Sequence, residues 1–290
     1  MTISNENTIT NEGRMNNIRR LAFIGGGNMA AALIGGLTKR GMARDRIVVA
    51  DPSANQLDRL TRDYGVTSAP DNPTAVADAE VVILAVKPQQ MRVLAQTLAP
   101  HLAQSNPLII SVAAGIPHAA LMRWFGPRAA VVRTMPNRPA LNGFGATGLY
   151  APASVGAANR ALAEDIMSAV SDSVWVEHES QMDTVTALSG SGPAYFFLFM
   201  EALEAAAHAR GLPNDVAHKL TLQTAFGASQ MARLSGESLA TLREQVTSKG
   251  GTTAAALDVL DAAGLRAIVA HAVAAADRRS AELAAEYGSP

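Results

Sequence analysis

Gly25-Gly26-Gly27-Asn28-Met29-Ala30 is the stretch whose residue types and spacing most plainly promise chemistry. The apolar run Leu21-Ala22-Phe23-Ile24 precedes it and a helical pattern over 28–40 follows it. In that order G-x-G-x-x-A gives a tight turn at its first glycine and close backbone approach to a pyrophosphate at its second. The small Ala30 lets the helix pack on the strand, and the helix N-terminal amides face the phosphates. A glycine-rich turn without a ligand is the plainer alternative. Asp51 ends the next apolar run, 46–50, where an acidic side chain bonds the 2′-hydroxyl of a ribose. It would equally cap the following helix, aided by Pro52. A 2′-phosphate would meet like charge there unless Arg59 or Arg62 offset it.

Two further loops follow apolar runs: Ala85-Val86-Lys87-Pro88 and Val112-Ala113-Ala114-Gly115. Ligands on open α/β sheets lie beyond the carboxyl ends of the strands, so both loops should border the nicotinamide half of a dinucleotide. Lys87 is either a ligand or a solvated loop lysine. Farther on, Val246-Thr247-Ser248-Lys249-Gly250-Gly251-Thr252-Thr253 breaks one helical stretch and opens another. Glycine flexibility, hydroxyls and helix N-terminal amides suit a carboxylate there. A plain helix–turn–helix corner, with threonine as N-cap, is the alternative. The order of residues is not that of a P-loop. Ser189-Gly190-Ser191-Gly192-Pro193 interrupts an apolar helix, and its small residues suit close packing better than a ligand. It fails the G-x-S-x-G pattern of a hydrolase elbow. The six histidines form no i, i+4 pair and no H-E-x-x-H, so no metal site is expected.

Short, fully apolar runs spaced by helices must position these loops. Runs at 20–24, 46–50, 81–86, 108–112 and 129–133 alternate with helical patterns, the signature of buried parallel strands in a doubly wound sheet. The expected α/β domain covers 18–180. After residue 181 every segment is helical in pattern, over 182–210, 214–234, 238–247, 252–262 and 265–286. Several of these helices are apolar on more than one face, which requires burial on several sides and points to a homo-oligomer. The polar residues 1–17 read as a disordered lead-in without the apolar core of a secretory signal.

Composition sets the outer limits. The 290 residues exceed one small module, and 24 Lys+Arg against 25 Asp+Glu leave a net charge of -1. That balance argues against nucleic acid and membrane surfaces as partners. Zero cysteines remove disulfides, thiolate metal sites and a thiol nucleophile. No apolar run approaches the roughly 18–20 residues that span a bilayer, and a cytoplasmic protein is expected.

Taken in order, these segments resemble the pyrroline-5-carboxylate reductase family. The resemblance covers residues 20–287 and rests on Phe23-Ile24-Gly25-Gly26-Gly27-Asn28-Met29, Ala85-Val86-Lys87-Pro88, and residues 111–115, 133–149, 188–195 and 246–253. The last three segments carry the specificity, since the first is common to Rossmann dehydrogenases. The resemblance implies an α/β fold: an N-terminal Rossmann-type doubly wound sheet plus a C-terminal all-helical dimerisation domain over 181–290. It also implies subunits that interleave their helical domains, often in larger rings. The implied reaction is reduction of 1-pyrroline-5-carboxylate to L-proline by NADP(H) or NAD(H). A protonated imine is already electrophilic, so alignment and exclusion of water suffice, and no catalytic His, Cys or metal is needed.

Carried over position by position, the resemblance assigns the cofactor to Ile24, Gly25, Gly26, Gly27, Asn28, Met29, Asn72, Ala85, Val86, Lys87, Pro88, Val112, Ala113 and Ala114, beside Asp51 from the spacing argument. Asn72 comes from the resemblance alone. Val246, Ser248, Gly250, Gly251, Thr252 and Thr253 hold the substrate, and Thr253 is the catalytic candidate that bonds the ring nitrogen. Lys249 stands where the family usually has proline, and Asp51-Pro52 replaces small hydroxyl residues that often receive a 2′-phosphate. The second departure leads us to expect NADH to serve at least as well as NADPH. Two rivals are a related enzyme acting on a different imine or a β-hydroxy acid, with Lys219 as its helical lysine, and a non-catalytic dinucleotide sensor. A sensor would have no need of Thr252-Thr253.

Overall fold

The strand runs form because branched and aromatic side chains alternate between two buried faces. The computed structural model describes Met15 and residues 17–289. Strands β1 (Leu21–Ile24), β2 (Ile47–Ala50), β4 (Val81–Leu84) and β5 (Leu108–Ser111) are buried at every position. In β1, Leu21 and Phe23 enter one core while Ala22 and Ile24 enter the other. Completing the sheet are β3 (Thr67–Ser68), β6 (Ala130–Met135), β7 (Gly145–Tyr150) and β8 (Ser171–Trp175). The order is β3-β2-β1-β4-β5-β6-β7-β8. Every pairing is parallel except β6 with β7.

Helices cover both faces, as a parallel sheet requires. One core takes α1 (Asn28–Lys39), α2 (Ala54–Tyr64) and α6 (Ala157–Met167), through residues such as Leu33, Leu60 and Ile166. The other takes α3 (Asn72–Val76), α4 (Pro88–Leu102) and α5 (His118–Phe125), through Val76, Leu98 and Leu121. Then follow α7 (Gln181–Val185), a π-helical turn Thr186–Gly190, α8 (Gly192–Ala209), α9 (Asn214–Ser235), α10 (Leu239–Gln245), α11 (Thr252–Ala262) and α12 (Leu265–Tyr287).

The described chain divides into two compact units, one reaching Ser191 and resuming at Ala276, the other spanning Gly192–Ala275. These compact units depart from the division expected after residue 180 at two places. Residues 181–191 stay with the sheet because Met182 and Ala187 are fully buried, and the end of α12 rejoins it. The lead-in expected over 1–17 lies mostly outside the described residues. Met15, however, is 1% exposed in the core, so packed chain begins before residue 18.

The helical unit has almost no interior of its own. Among its described residues, Gly192, Ala217 and Thr221 are buried, whereas Phe196, Phe197 and Leu198 are 68%, 61% and 66% exposed. Covering each such side chain is worth roughly 1.5–3 kcal/mol, so these faces favour a partner surface. No single helix among the described residues is long and apolar enough to cross a membrane.

Candidate active site

The glycine loop is shaped by a close approach between two strand ends. Gly25 takes φ 99°, and a Cβ there would lie 2.6 Å from the Ala85 carbonyl oxygen. No other residue combines that backbone with that space. The Gly25 amide donates to the Ala50 carbonyl at 2.8 Å and the Ala85 amide to the Ile24 carbonyl at 2.8 Å, tying three strand ends together. Around Gly27 the space is open, and α1 starts at Asn28 with no side chain capping its first amides. Ala30 is fully buried. An accessible glycine backbone leading to uncapped helix amides fits a pyrophosphate.

Asp51 closes this loop. Its Oδ2 accepts from the Gly26 amide at 2.7 Å and its Oδ1 from the Ser53 amide at 2.8 Å. The residue at the N-cap of α2 is Ser53, so Asp51 leads into that helix without capping it. The carboxylate is held beyond the end of β2, fixed by two backbone donors on the glycine-loop side. Arg59 is half-buried, with its Nη2 lacking a hydrogen-bond partner.

The remaining dinucleotide candidates follow neighbouring parallel strands. Asn72 lies past β3, at the start of α3; residues 85–88 follow β4; residues 112–114 follow β5. All therefore share the carboxyl-terminal edge of one sheet with Ile24–Met29 and Asp51, as binding at such an edge requires. Lys87 is exposed and precedes Pro88, the first residue of α4. At the same edge a cavity of about 360 Å³ is lined by Pro88, Ala114, Gly115, Thr186, Ser280 and Tyr287, among others. Tyr287 and Leu283 pack over Gly115, and the Gln89 Nε2 donates to the Tyr287 Oη at 2.9 Å. Ser280 Oγ donates to Asp183 Oδ1 at 2.8 Å and Thr184 Oγ1 to Asp277 Oδ1 at 2.7 Å. Sequence reasoning missed this wall, because Gln89 and Tyr287 are 198 residues apart.

The small residues at 189–192 serve packing. A Cβ on Gly190 would lie 2.6 Å from the Met135 side chain, and the Ser191 amide donates to the Thr186 carbonyl at 2.9 Å, closing the π turn. Asn137 secures it, donating to the Ser189 carbonyl and accepting from the Ala146 amide, both at 2.9 Å. A larger hollow of about 650 Å³ lies near β8. Three of its polar side chains are already engaged with one another or with backbone: Arg160 stacks 3.8 Å over Trp175 and donates to the Ala151 carbonyl, while Trp175 donates to Glu164.

In the helical unit, Val246 closes α10, Gly250 takes φ 70°, and the Gly251 amide donates to the Ser248 carbonyl at 3.0 Å. Gly251, not a threonine, is the N-cap of α11, which corrects the alternative of a threonine cap. Thr252 and Thr253 are the first two helical residues, and no side chain caps the helix. Free amides and two adjacent hydroxyls at a positive helix end suit a carboxylate beside a polar ring atom. Lys249 is exposed.

Residues 20–115 match a family described as NADP oxidoreductase, coenzyme F420-dependent, and residues 179–283 match pyrroline-5-carboxylate reductase dimerisation. Pyrroline-5-carboxylate reductase of Pseudomonas aeruginosa is 50% identical over 93% of this chain and 98% of its own length. A solved pyrroline-5-carboxylate reductase from Coxiella burnetii superposes with a TM-score of 0.89 at 42% identity, covering 92% of this chain and 99% of that one. The Plasmodium falciparum enzyme, solved with NADP bound, gives a TM-score of 0.81 at 28% identity over 93% and 99% of the two chains. With half its residues shared with a reductase over nearly the whole of both chains, this chain belongs to the pyrroline-5-carboxylate reductase family.

Proposed function

We propose that this chain carries out the reaction of its family, NAD(P)H-dependent reduction of 1-pyrroline-5-carboxylate to L-proline, through two sets of residues. The sheet-edge loops, Ile24–Met29, Asp51, Asn72, 85–88 and 112–114, hold the dinucleotide. The corner formed by Val246, Ser248, Gly250, Gly251, Thr252 and Thr253 holds the imine. The observation that supports this reading best is the uncapped start of α11, whose amides and threonine hydroxyls offer donors to a carboxylate, and a hydroxyl oxygen that can accept from the protonated ring nitrogen.

NAD(P)H supplies a hydride to the imine carbon. The protein's tasks are then to fix the ring by its carboxylate, to aim the ring nitrogen at Thr253 and to exclude water. Holding the nitrogen protonated lowers the barrier to reduction at the adjacent carbon. Thr253 acts by hydrogen bonding, since an alkyl hydroxyl is a poor acid at neutral pH. We also assign the exposed apolar faces of the helical unit to a homodimer interface, which the match of residues 179–283 to a dimerisation family supports.

The carboxylate assignment is tested by comparing 1-pyrroline-5-carboxylate with 1-pyrroline, which lacks only that group. Loss of one charge-assisted hydrogen bond costs about 1.5–3 kcal/mol, so kcat/KM should fall at least about tenfold. Equal values for the two imines would remove the corner's assigned role.

A further inference from the structure

Arg133 is the one buried arginine among the described residues, at 4% exposure, and the mechanism above gives it no part. It stands on β6 opposite Ser111, the last residue of β5, and its Nη1 donates to Glu179 Oε1 at 2.8 Å. The same Glu179 oxygen accepts from the backbone amide of His118 at 2.5 Å. His118 is the first residue of α5. The loop 112–117 therefore runs between two fixed points. At its start, the Ser111 carbonyl accepts from Thr134 Oγ1 at 2.9 Å; at its end, Glu179 holds His118.

Glu179 also adjoins α7, which continues into the π turn, and both this segment and the loop contribute to the 360 Å³ cavity. The surroundings leave Arg133 as its cationic partner. Burial of the His118 imidazole holds its pKa below the ordinary histidine value, and its Nε2 lies 3.2 Å from the Val131 carbonyl with its ring edge-on to Tyr150. A buried ion pair is weak ground for net stability, because desolvation offsets the attraction. Fixing geometry is the better account of this one.

We propose that Glu179 is a positioning residue for the reduction: by joining Arg133 to the His118 amide it fixes the 112–117 loop against the nicotinamide end of the cofactor. The proposal rests on the reading that residues 112–114 hold that end. The test uses the full-length protein and two ligands, NADH and ADP-ribose, which shares the adenosine and pyrophosphate but has no nicotinamide. Glu179→Ala should weaken NADH about tenfold and lower kcat, while ADP-ribose affinity stays within about twofold. Glu179→Gln keeps an oxygen that accepts from both donors and should restore NADH affinity to within about threefold. Should the alanine variant not fold, Glu179→Asp keeps the charge but withdraws it by one methylene, and it should show the same selective loss. Parallel losses for both ligands, no loss in the aspartate variant, or failure of glutamine to rescue would each overturn the proposal. A wild-type protein that binds NADH no better than ADP-ribose would instead overturn the reading of residues 112–114 on which it rests.

Discussion

NADH is expected to give a kcat/KM about 100-fold above that of NADPH, and Asp51→Ser is expected to narrow that ratio by at least about tenfold. The reason lies in how the carboxylate is held. Both of its oxygens accept backbone amides, from Gly26 and Ser53, so it cannot swing aside to admit a second anion without losing a donor. A ribose 2′-hydroxyl donates to such an oxygen, whereas a 2′-phosphate brings like charge, at a cost of several kcal/mol. Arg59, with a buried and unpartnered Nη2, is the residue best supplied to offset that charge, and its substitution belongs in the same series. Removing the Asp51 carboxylate also removes the Gly26 bond, which should weaken both cofactors alike. The ratio is therefore the informative quantity. The NADP bound to the Plasmodium falciparum enzyme shows what that relative accepts. A strong NADPH preference in the wild-type protein would contradict the role given to Asp51.

Thr253→Ala should lower kcat/KM for the imine roughly 100-fold while leaving the Kd for NADH within about twofold. Thr253 is the second residue of α11, in the first turn with its uncapped amides. Its hydroxyl is assigned to the ring nitrogen, where charge changes during reduction, so its loss should appear chiefly in kcat. Thr253→Ser keeps the hydroxyl and should recover most of the activity, at some loss of rotamer definition. Loss of cofactor binding in the alanine variant would contradict the assignment. So would an unchanged kcat/KM.

Legibility in the sequence followed burial. The runs ending at Ile24, Ala50, Leu84 and Ser111 were readable because both faces of those strands are buried and every side chain is apolar or small. Strand β3 is two exposed residues, too short to register, and Asn72 beyond it had no bottom-up signal. Strand β7 carries two glycines, and β8 is Ser171-Asp172-Ser173-Val174-Trp175 with Asp172 and Val174 exposed, so neither has the pattern of a buried strand. The helical texture after residue 181 was clear, but not the division at Gly192 or the return at Ala276. Those depend on side-chain pairs such as Ser280 with Asp183, 97 residues apart. Arg133 left a faint trace, a charged residue ending the run Ala129-Ala130-Val131-Val132, but its partner Glu179 has none in local spacing.

The sequence has no cysteine and no histidine pair at metal-ligand spacing, which is consistent with a protein that holds two reactants and lets their own reactivity act. The most direct test is to mix the wild-type protein with NADH and 1-pyrroline-5-carboxylate and to measure both nucleotide oxidised and proline formed. The account predicts imine-dependent oxidation with one proline for each NADH consumed. Tight NADH binding with no imine-dependent oxidation would contradict it and leave a dinucleotide sensor in its place.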